Sequence, residues 1–185
     1  SKTTGPLTWS VSGISRDGAH LVSTHAGKPA YGGTPGDASV VQAIRELRAR
    51  GLRVTLYPFI LMDVPADNTL PDPYSDDAAG VGQPAYPWRG RITCSPAAGY
   101  AGTVDKTPDA ATQVSAFFGS AAASDFSVSG ESVTWTGGSD EGFRRMILHY
   151  AQLAKAAGGV DAFLIGTEMR GLTWIRDGAS SYPAV

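Results

Sequence analysis

Apolar and polar residues alternate along this chain at two different periods, and the switches between them mark the elements. Leu7-Thr8-Trp9-Ser10-Val11 alternates at a period of two, as a half-buried strand does. Arg16-Asp17-Gly18 reads as a turn, and His20 to Ser23 returns as a second strand to make a small hairpin. Lys28 to Gly36 reads as loop. The period then becomes helical. Val40, Val41, Ile44 and Leu47 share one face, Asp37 or Ser39 is placed to cap, Glu46 and Arg50 form an i, i+4 pair, and Gly51 is the stop signal. Arg53 to Met62 returns to strand character through Val54, Leu56, Phe59, Ile60 and Leu61, with Pro58 marking a bulge or strand end.

From Asp63 to Thr107 neither period holds, and loops this long are usually functional or disordered. This one carries Tyr74, Tyr86, Trp88, Arg89 and Arg91. Thr107-Pro108 opens a helix with a cap and an N1 proline; Val114, Phe117 and Phe118 form its apolar side and Gly119 ends it. Phe126 to Thr136 alternates on both sides of Ser129-Gly130-Glu131, which predicts a β-hairpin insertion. Ser139 or Asp140 caps a longer helix with Phe143, Met146, Ile147, Tyr150 and Leu153 inward and Arg144 and Arg145 on a solvated face. Gly158-Gly159 terminates it. Phe163-Leu164-Ile165-Gly166-Thr167-Glu168 follows, a short apolar run of the kind covered on both faces, ending in a carboxylate.

Strand, helix, strand, long excursion, helix and strand make an α/β alternation, in which parallel strands are joined by right-handed crossovers. With 185 residues the chain suits one domain and supplies three or four sheet strands, short of the roughly 250 residues of a closed eight-fold barrel. Hydrophobic residues are 42% of the chain, enough to bury a core, and the net charge is −2 without a basic stripe, which argues against nucleic-acid binding. There is no apolar run of transmembrane length and no signal peptide. The single cysteine, Cys94, excludes an internal disulfide. His20, His25 and His149 show no metal-ligand spacing, and no metal or cofactor is implied. His149 reads as a packed helical histidine. Gly32 to Gly36 lacks the phosphate-loop lysine and reads as a turn, and neither a nucleophile elbow nor a serine or cysteine triad is present.

Two strand-end carboxylates carry the candidate chemistry. In α/β barrels the C-terminal rim is where reactions are done. Glu168 ends one strand there; an apolar wall around it would suit a proton donor, and the bland alternative is an ion pair with a neighbour such as Arg170. Asp63 ends the Arg53-to-Met62 strand, and if the two strands are neighbours both carboxylates face one crevice. Paired carboxylates are what glycosidic bond cleavage requires. The alternative for Asp63 is a turn residue ahead of Pro65. Trp88 offers a flat apolar face for a sugar ring and Arg89 donates to hydroxyls or carboxylates, unless Trp88 only anchors the loop.

Leu56-Tyr57-Pro58-Phe59, Trp88-Arg89-Gly90-Arg91-Ile92, His149-Tyr150-Ala151-Gln152-Leu153-Ala154 and Phe163-Leu164-Ile165-Gly166-Thr167-Glu168-Met169 occur in that order. This succession resembles the β-mannanase-like retaining glycoside hydrolases, which are (β/α)8 barrels. Tyr31-Gly32-Gly33-Thr34-Pro35, Asp72-Pro73-Tyr74, the run from Gln83 to Cys94 and Gly158-Gly159-Val160-Asp161-Ala162-Phe163 resemble, more closely, the glycoside-hydrolase TIM-barrel-like domain of the large baseplate or tail-hub protein of gene transfer agents and related phages. The resemblance covers nearly the whole chain. It implies that residues 1–185 are a segment of a larger protein, a partial (β/α)8 barrel of about half the strands, with Glu168 as the general acid/base and a nucleophile on a later strand, beyond Val185. Tyr182 to Val185 would start the next helix. Trp88, Arg89, Asp63, Tyr57 and Arg170 would line the saccharide groove. The mannanase-like pattern has Lys-Pro-His where this chain has Tyr57-Pro58-Phe59, so mannan-type contacts are not carried over. The implied setting is a phage-like particle made in the bacterial cytoplasm, with cell-envelope polysaccharide and other baseplate proteins as partners and the open sheet edges of a half barrel available for self-association. A catalytically inactive structural or carbohydrate-binding module is the rival reading.

Overall fold

A computed structural model describes residues 9–14, 16, 19–77 and 82–183. Its organising element is a parallel pair, β5 (Thr55–Leu56) with β8 (Ala162–Phe163), in register Thr55↔Ala162 and Leu56↔Phe163. The long connection between them carries the excursion and two helices, as a parallel crossover must. Val54 N–H is capped by the Asp161 carboxylate at 2.8 Å, which fixes the start of the pairing.

One face of this pair is covered by α1 (Asp37–Ala49) and α3 (Phe143–Ala156). Val41 and Ile44 of α1, Val54, Leu153 and Ala157 at the end of α3, and Val133 form one buried cluster, with Leu56 and Tyr150 packed at its margin. Burial alternates from Val54 onward: Val54 and Pro58 point inward, while Tyr57, Phe59 and Leu61 are exposed. The other face of the pair is therefore open. Ile165 is 64% exposed and Leu164 lies outward too, so the run before Glu168 is not covered on both faces as its apolar composition implied. The physical reason is topological: only two strands pair here, and cover of their second face is partial, Arg89 reaching Phe59 while Tyr57 and Leu164 stay exposed.

The helices begin and end close to their sequence signals. Gly51, at φ 74°, stops α1, and Arg50 bonds Glu46 at 2.7 Å. α2 (Pro108–Phe118) has Pro108 in its first turn and ends at Gly119, φ 73°. The capping carboxylates do other work, however. The N-caps of α1 and α3 are Gly36 and Gly142, without side-chain cap bonds. Asp37 turns inward to Arg16 and His149, and Asp140 accepts from the Gly142 and Ser120 N–H groups, tying the start of α3 to the end of α2. The hairpin insertion forms as expected, β6 (Phe126–Ser129) against β7 (Ser132–Trp135) in antiparallel register with Phe126 opposite Trp135.

Several local expectations are corrected. β1 (Ser10–Val11) pairs β2 (His20–Leu21) in parallel, so these segments are not a hairpin; the chain loops out after Val11 and re-enters in the same direction. Leu7, Thr8, Asp17 and Gly18 lie outside the described residues. The actual N-terminal hairpin is β3 (Thr24–His25) with β4 (Lys28–Pro29), turning through Ala26 and Gly27, which both take positive φ. The strand from Arg53 to Met62 shrinks to β5, and Pro58 onward has no ladder partner. Arg145 is buried, not solvated: its guanidinium lies 5.3 Å from the Trp9 ring and 4.6 Å from the Trp135 ring and bonds the Asp140 carbonyl. A short helix α4 (Arg170–Thr173) follows Glu168. Tyr182 and Pro183 are not helical, and Ala184 and Val185 lie outside the described residues.

α1 and α3 are joined by a buried polar contact. His149 Nε2 lies 2.9 Å from Asp37 Oδ1, which also takes Arg16 at 2.9 Å, and His149 packs edge-on to Trp9. Burial pushes the imidazole below its usual value in spite of the carboxylate beside it. Burial works against ionisation of Asp37 too, but the His149 bond and the Arg16 charge outweigh it and hold the carboxyl low. Both groups make acid destabilising. A histidine with a depressed folded pKa binds its proton more readily in the unfolded chain, so stability is lost as pH falls below 6.5. Asp37 adds a second loss as pH falls below 3.8. Urea unfolding followed by tryptophan fluorescence at stepped pH should show both, and Asp37→Asn should cost about 3 kcal/mol at neutral pH by leaving the buried Arg16 without its counter-charge.

Candidate functional site

The parallel pair delivers Glu168 five residues beyond β8, at the carboxyl end of the strands. Gly166 and Thr167 leave the sheet, and Glu168 itself sits at φ 55°. A non-glycine residue in the left-handed region costs free energy, and such strain collects at functional sites. The turn is stabilised by what its carboxylate meets. Glu168 Oε2 accepts from Trp88 Nε1 at 3.1 Å and from Arg89 Nη2 at 2.5 Å.

Both partners come from one tight 3-10 turn, Arg89–Arg91, in the long excursion. Gly90 is buried beneath the Trp88 indole, and a Cβ there would collide with the ring. The turn is pressed onto α4, where a Cβ on Gly171 would collide with the Ile92 carbonyl. Two glycines thus allow the excursion to close on the strand end. Arg89 is fully engaged: Nε donates to the Thr167 carbonyl at 3.2 Å, and the guanidinium carbon lies 4.7 Å from the Phe59 ring centre. Its side chain is 15% exposed, against 52% for the Glu168 side chain. The carboxylate is open to solvent at one end and held by two donors at the other, a setting different from the apolar wall envisaged from sequence. Its ion-pair partner is Arg89; Arg170 stacks instead on Trp174, 4.3 Å away.

Trp88, 52% exposed, and Tyr57 and Phe59, packed edge-on 6.0 Å apart on the open sheet face, surround this rim with aromatic surface. Asp63 is elsewhere. Its Oδ1 and Oδ2 accept the Ser23 hydroxyl at 2.5 Å and N–H at 2.8 Å, closing the loop after β2 onto the end of the 54–62 segment. The structure therefore brings Glu168, Trp88 and Arg89 together, places Tyr57 on the adjoining face, and leaves Asp63 and Arg170 with separate partners. Phe59 and the Thr167 carbonyl were given no role at the site from sequence. Phe59 had a readable signal, since it shares Tyr57's side of an alternating segment. Among the described residues, no three His, Cys, Asp or Glu side chains cluster as a metal site would require, and no helix is long and apolar enough to cross a membrane.

The clamp predicts how it fails. Gly171→Ala should drive α4 from the 3-10 turn and cost about 1–3 kcal/mol in chemical denaturation, the usual penalty of overpacking. Gly90→Ala should displace the indole from Glu168, seen as a shift of tryptophan emission on an otherwise intact far-UV circular dichroism spectrum.

Residues 141–185, which include α3, β8 and Glu168, match the family described as the GTA TIM-barrel-like domain, GTA standing for gene transfer agent. No curated protein matches the chain. The α3–β8–Glu168 portion of this site is thus similar to a gene-transfer-agent-associated domain, while Trp88, Arg89 and Tyr57 fall outside the matched stretch.

Proposed function

We propose that this chain is a glycoside-hydrolase-like segment of a gene transfer agent or phage tail-baseplate protein that engages bacterial cell-surface polysaccharide or peptidoglycan at the Glu168 rim. The observation that carries the reading is a carboxylate five residues past β8, held between an exposed indole and a guanidinium, next to aromatic surface. Sugars present apolar ring faces and hydroxyl edges together, and aromatic planes beside a charged hydrogen-bonding pair match both. In this reading Trp88 and Tyr57 take ring faces, and Arg89 and Glu168 take hydroxyls. Asp63 and Arg170 contribute at the margins of the groove. The particle's tail is where such a domain would act, alongside other baseplate proteins.

Where the bound glycan is cleaved, Glu168 is the acid/base. Acting so requires its carboxyl to carry a proton and to leave Arg89 as it delivers that proton to the leaving oxygen. A second reading, recognition without cleavage, is favoured by one specific observation. Asp63, the other strand-end carboxylate, is bound to Ser23 and shares no partner with Glu168. Capsule, lipopolysaccharide and peptidoglycan incubated with the protein carrying this chain separate the two. Hydrolysis lost in Glu168→Gln, with binding retained, supports the acid/base role. Binding without product release, weakened at least tenfold by Trp88→Ala, supports recognition alone. Glycan binding that is absent, or indifferent to Trp88→Ala, sinks both.

A further inference from the structure

Beside the Glu168 rim, and sharing Phe59 with it, the molecule contains a partly open cavity of about 400 Å3 that also takes in Asp63. Trp9 and Val11, Phe117 of α2, Met146 of α3, and Leu172 and Ile175 around α4 supply much of its wall. Trp88, Arg89 and Glu168 are not among its lining residues. The volume lies in the range of small-molecule sites. It is also far larger than the voids a close-packed interior leaves behind.

Many of the polar side chains at the wall are already committed to protein partners, Glu141 to His20 at 3.0 Å among them. Gln113 exchanges both amide bonds with the Ser95 backbone, at 2.8 and 3.0 Å. Arg91 holds both oxygens of Asp72, at 2.9 and 3.1 Å. Asp63 is taken by Ser23, and Tyr31 donates to the Met62 carbonyl at 2.7 Å. These bonds have two consequences. They brace walls drawn from distant parts of the chain, so the space does not close by a small repacking. They also leave those groups engaged, so that a charged or strongly hydrogen-bonding guest would enter without compensation for its lost water.

We infer that this cavity is a binding site for an uncharged apolar molecule, an aryl or alkyl group, bordering the saccharide rim at Phe59 but not using Trp88, Arg89 or Glu168. An apolar cavity of roughly 150 Å3 stays dry and accepts benzene, so this one has room for a larger ring system or a medium-length alkyl chain. The walls gain the dispersion contacts that an unfilled space denies them. Binding the folded state alone would also stabilise the fold.

The test uses N-phenyl-1-naphthylamine, a neutral dye that fluoresces in apolar surroundings. The intact protein should bind it saturably, one dye per chain, and its melting temperature should rise with dye concentration. Val114→Trp and Met146→Trp place bulk in the cavity and should weaken binding at least tenfold while keeping a cooperative melting transition. Ile165→Ser removes exposed apolar surface from the run before Glu168, outside the cavity lining, and should leave binding unchanged. Absence of saturable binding overturns the inference. So does binding that survives cavity filling, or that disappears in Ile165→Ser. Should the filled variants fail to fold, the wild-type stoichiometry, its melting shift and the Ile165→Ser result still decide. Glycan binding is scored separately on the same proteins, so loss of the polysaccharide reading does not count against the cavity.

Discussion

The structure depends on a parallel pair that is covered on only one side. Four backbone positions, Thr55 and Leu56 with Ala162 and Phe163, hold together segments more than a hundred residues apart. Two strands alone are marginal in water, so the pairing rests on the burial beneath it. α1 and α3 provide that burial by packing Val41, Ile44 and Leu153 against Val54. The Asp37–His149 contact then locks the two helices to each other as well as to the sheet. Because the second face is only partly covered, outward residues of the pair and its extension become available surface. Tyr57 and Leu164 are exposed for that reason.

The same constraint explains why the excursion folds back so tightly. A strand end without neighbouring strands has little to hold a strained residue in place. Glu168 adopts a left-handed backbone, and the compensation arrives from eighty residues earlier in the chain as Trp88 and Arg89. Gly90 and Gly171 make the approach sterically feasible, since each sits where a side-chain carbon would meet another group. Arg89 then ties three things at once: the carboxylate, the Thr167 carbonyl and the Phe59 ring. A long loop without regular structure is expensive to order. Here the ordering is concentrated on one short turn that acts as a clamp over the rim.

What was legible in the sequence follows the range of the interactions involved. α1, α2, α3 and the β6–β7 hairpin are written in local signals: a stop at Gly51, a proline in the first turn at Pro108, a turn at Gly130. Strand partners are not local. Nothing in the spacing of Trp9 to Leu21 distinguishes a parallel re-entry from a hairpin, because the alternation is the same in both. Burial of Arg145 was hidden for a related reason. A charged residue reads as solvated until its cover is known, and that cover is Trp9 and Trp135, 136 and 10 residues distant by their numbering. A signal did exist: Arg145 stands one helical turn before His149, on the face that His149 buries. The capping carboxylates failed as caps for a tertiary reason too, since Asp37 gains more from a buried histidine and arginine than from a free N–H.

The site divides along the same line. That Glu168 follows a strand could be read from an apolar run followed by glycine, although the paired strand stops at Phe163, and the aromatic and basic character of the excursion could be read too. Which cation meets Glu168 could not. Arg170 is two residues away, yet Arg89 wins, because the left-handed turn at Glu168 sends the chain into α4 and Arg170 onto Trp174. The exchange matters chemically. An arginine on the neighbouring helix turn would leave with any movement of that turn, whereas Arg89 is anchored to the strand-end carbonyl and to Phe59 independently of Glu168. Displacing Glu168 from this pair therefore leaves the guanidinium in place at the rim, still braced and newly able to donate. The cation of the pair thus has anchors of its own, and the carboxylate, half exposed, has only Trp88 and Arg89.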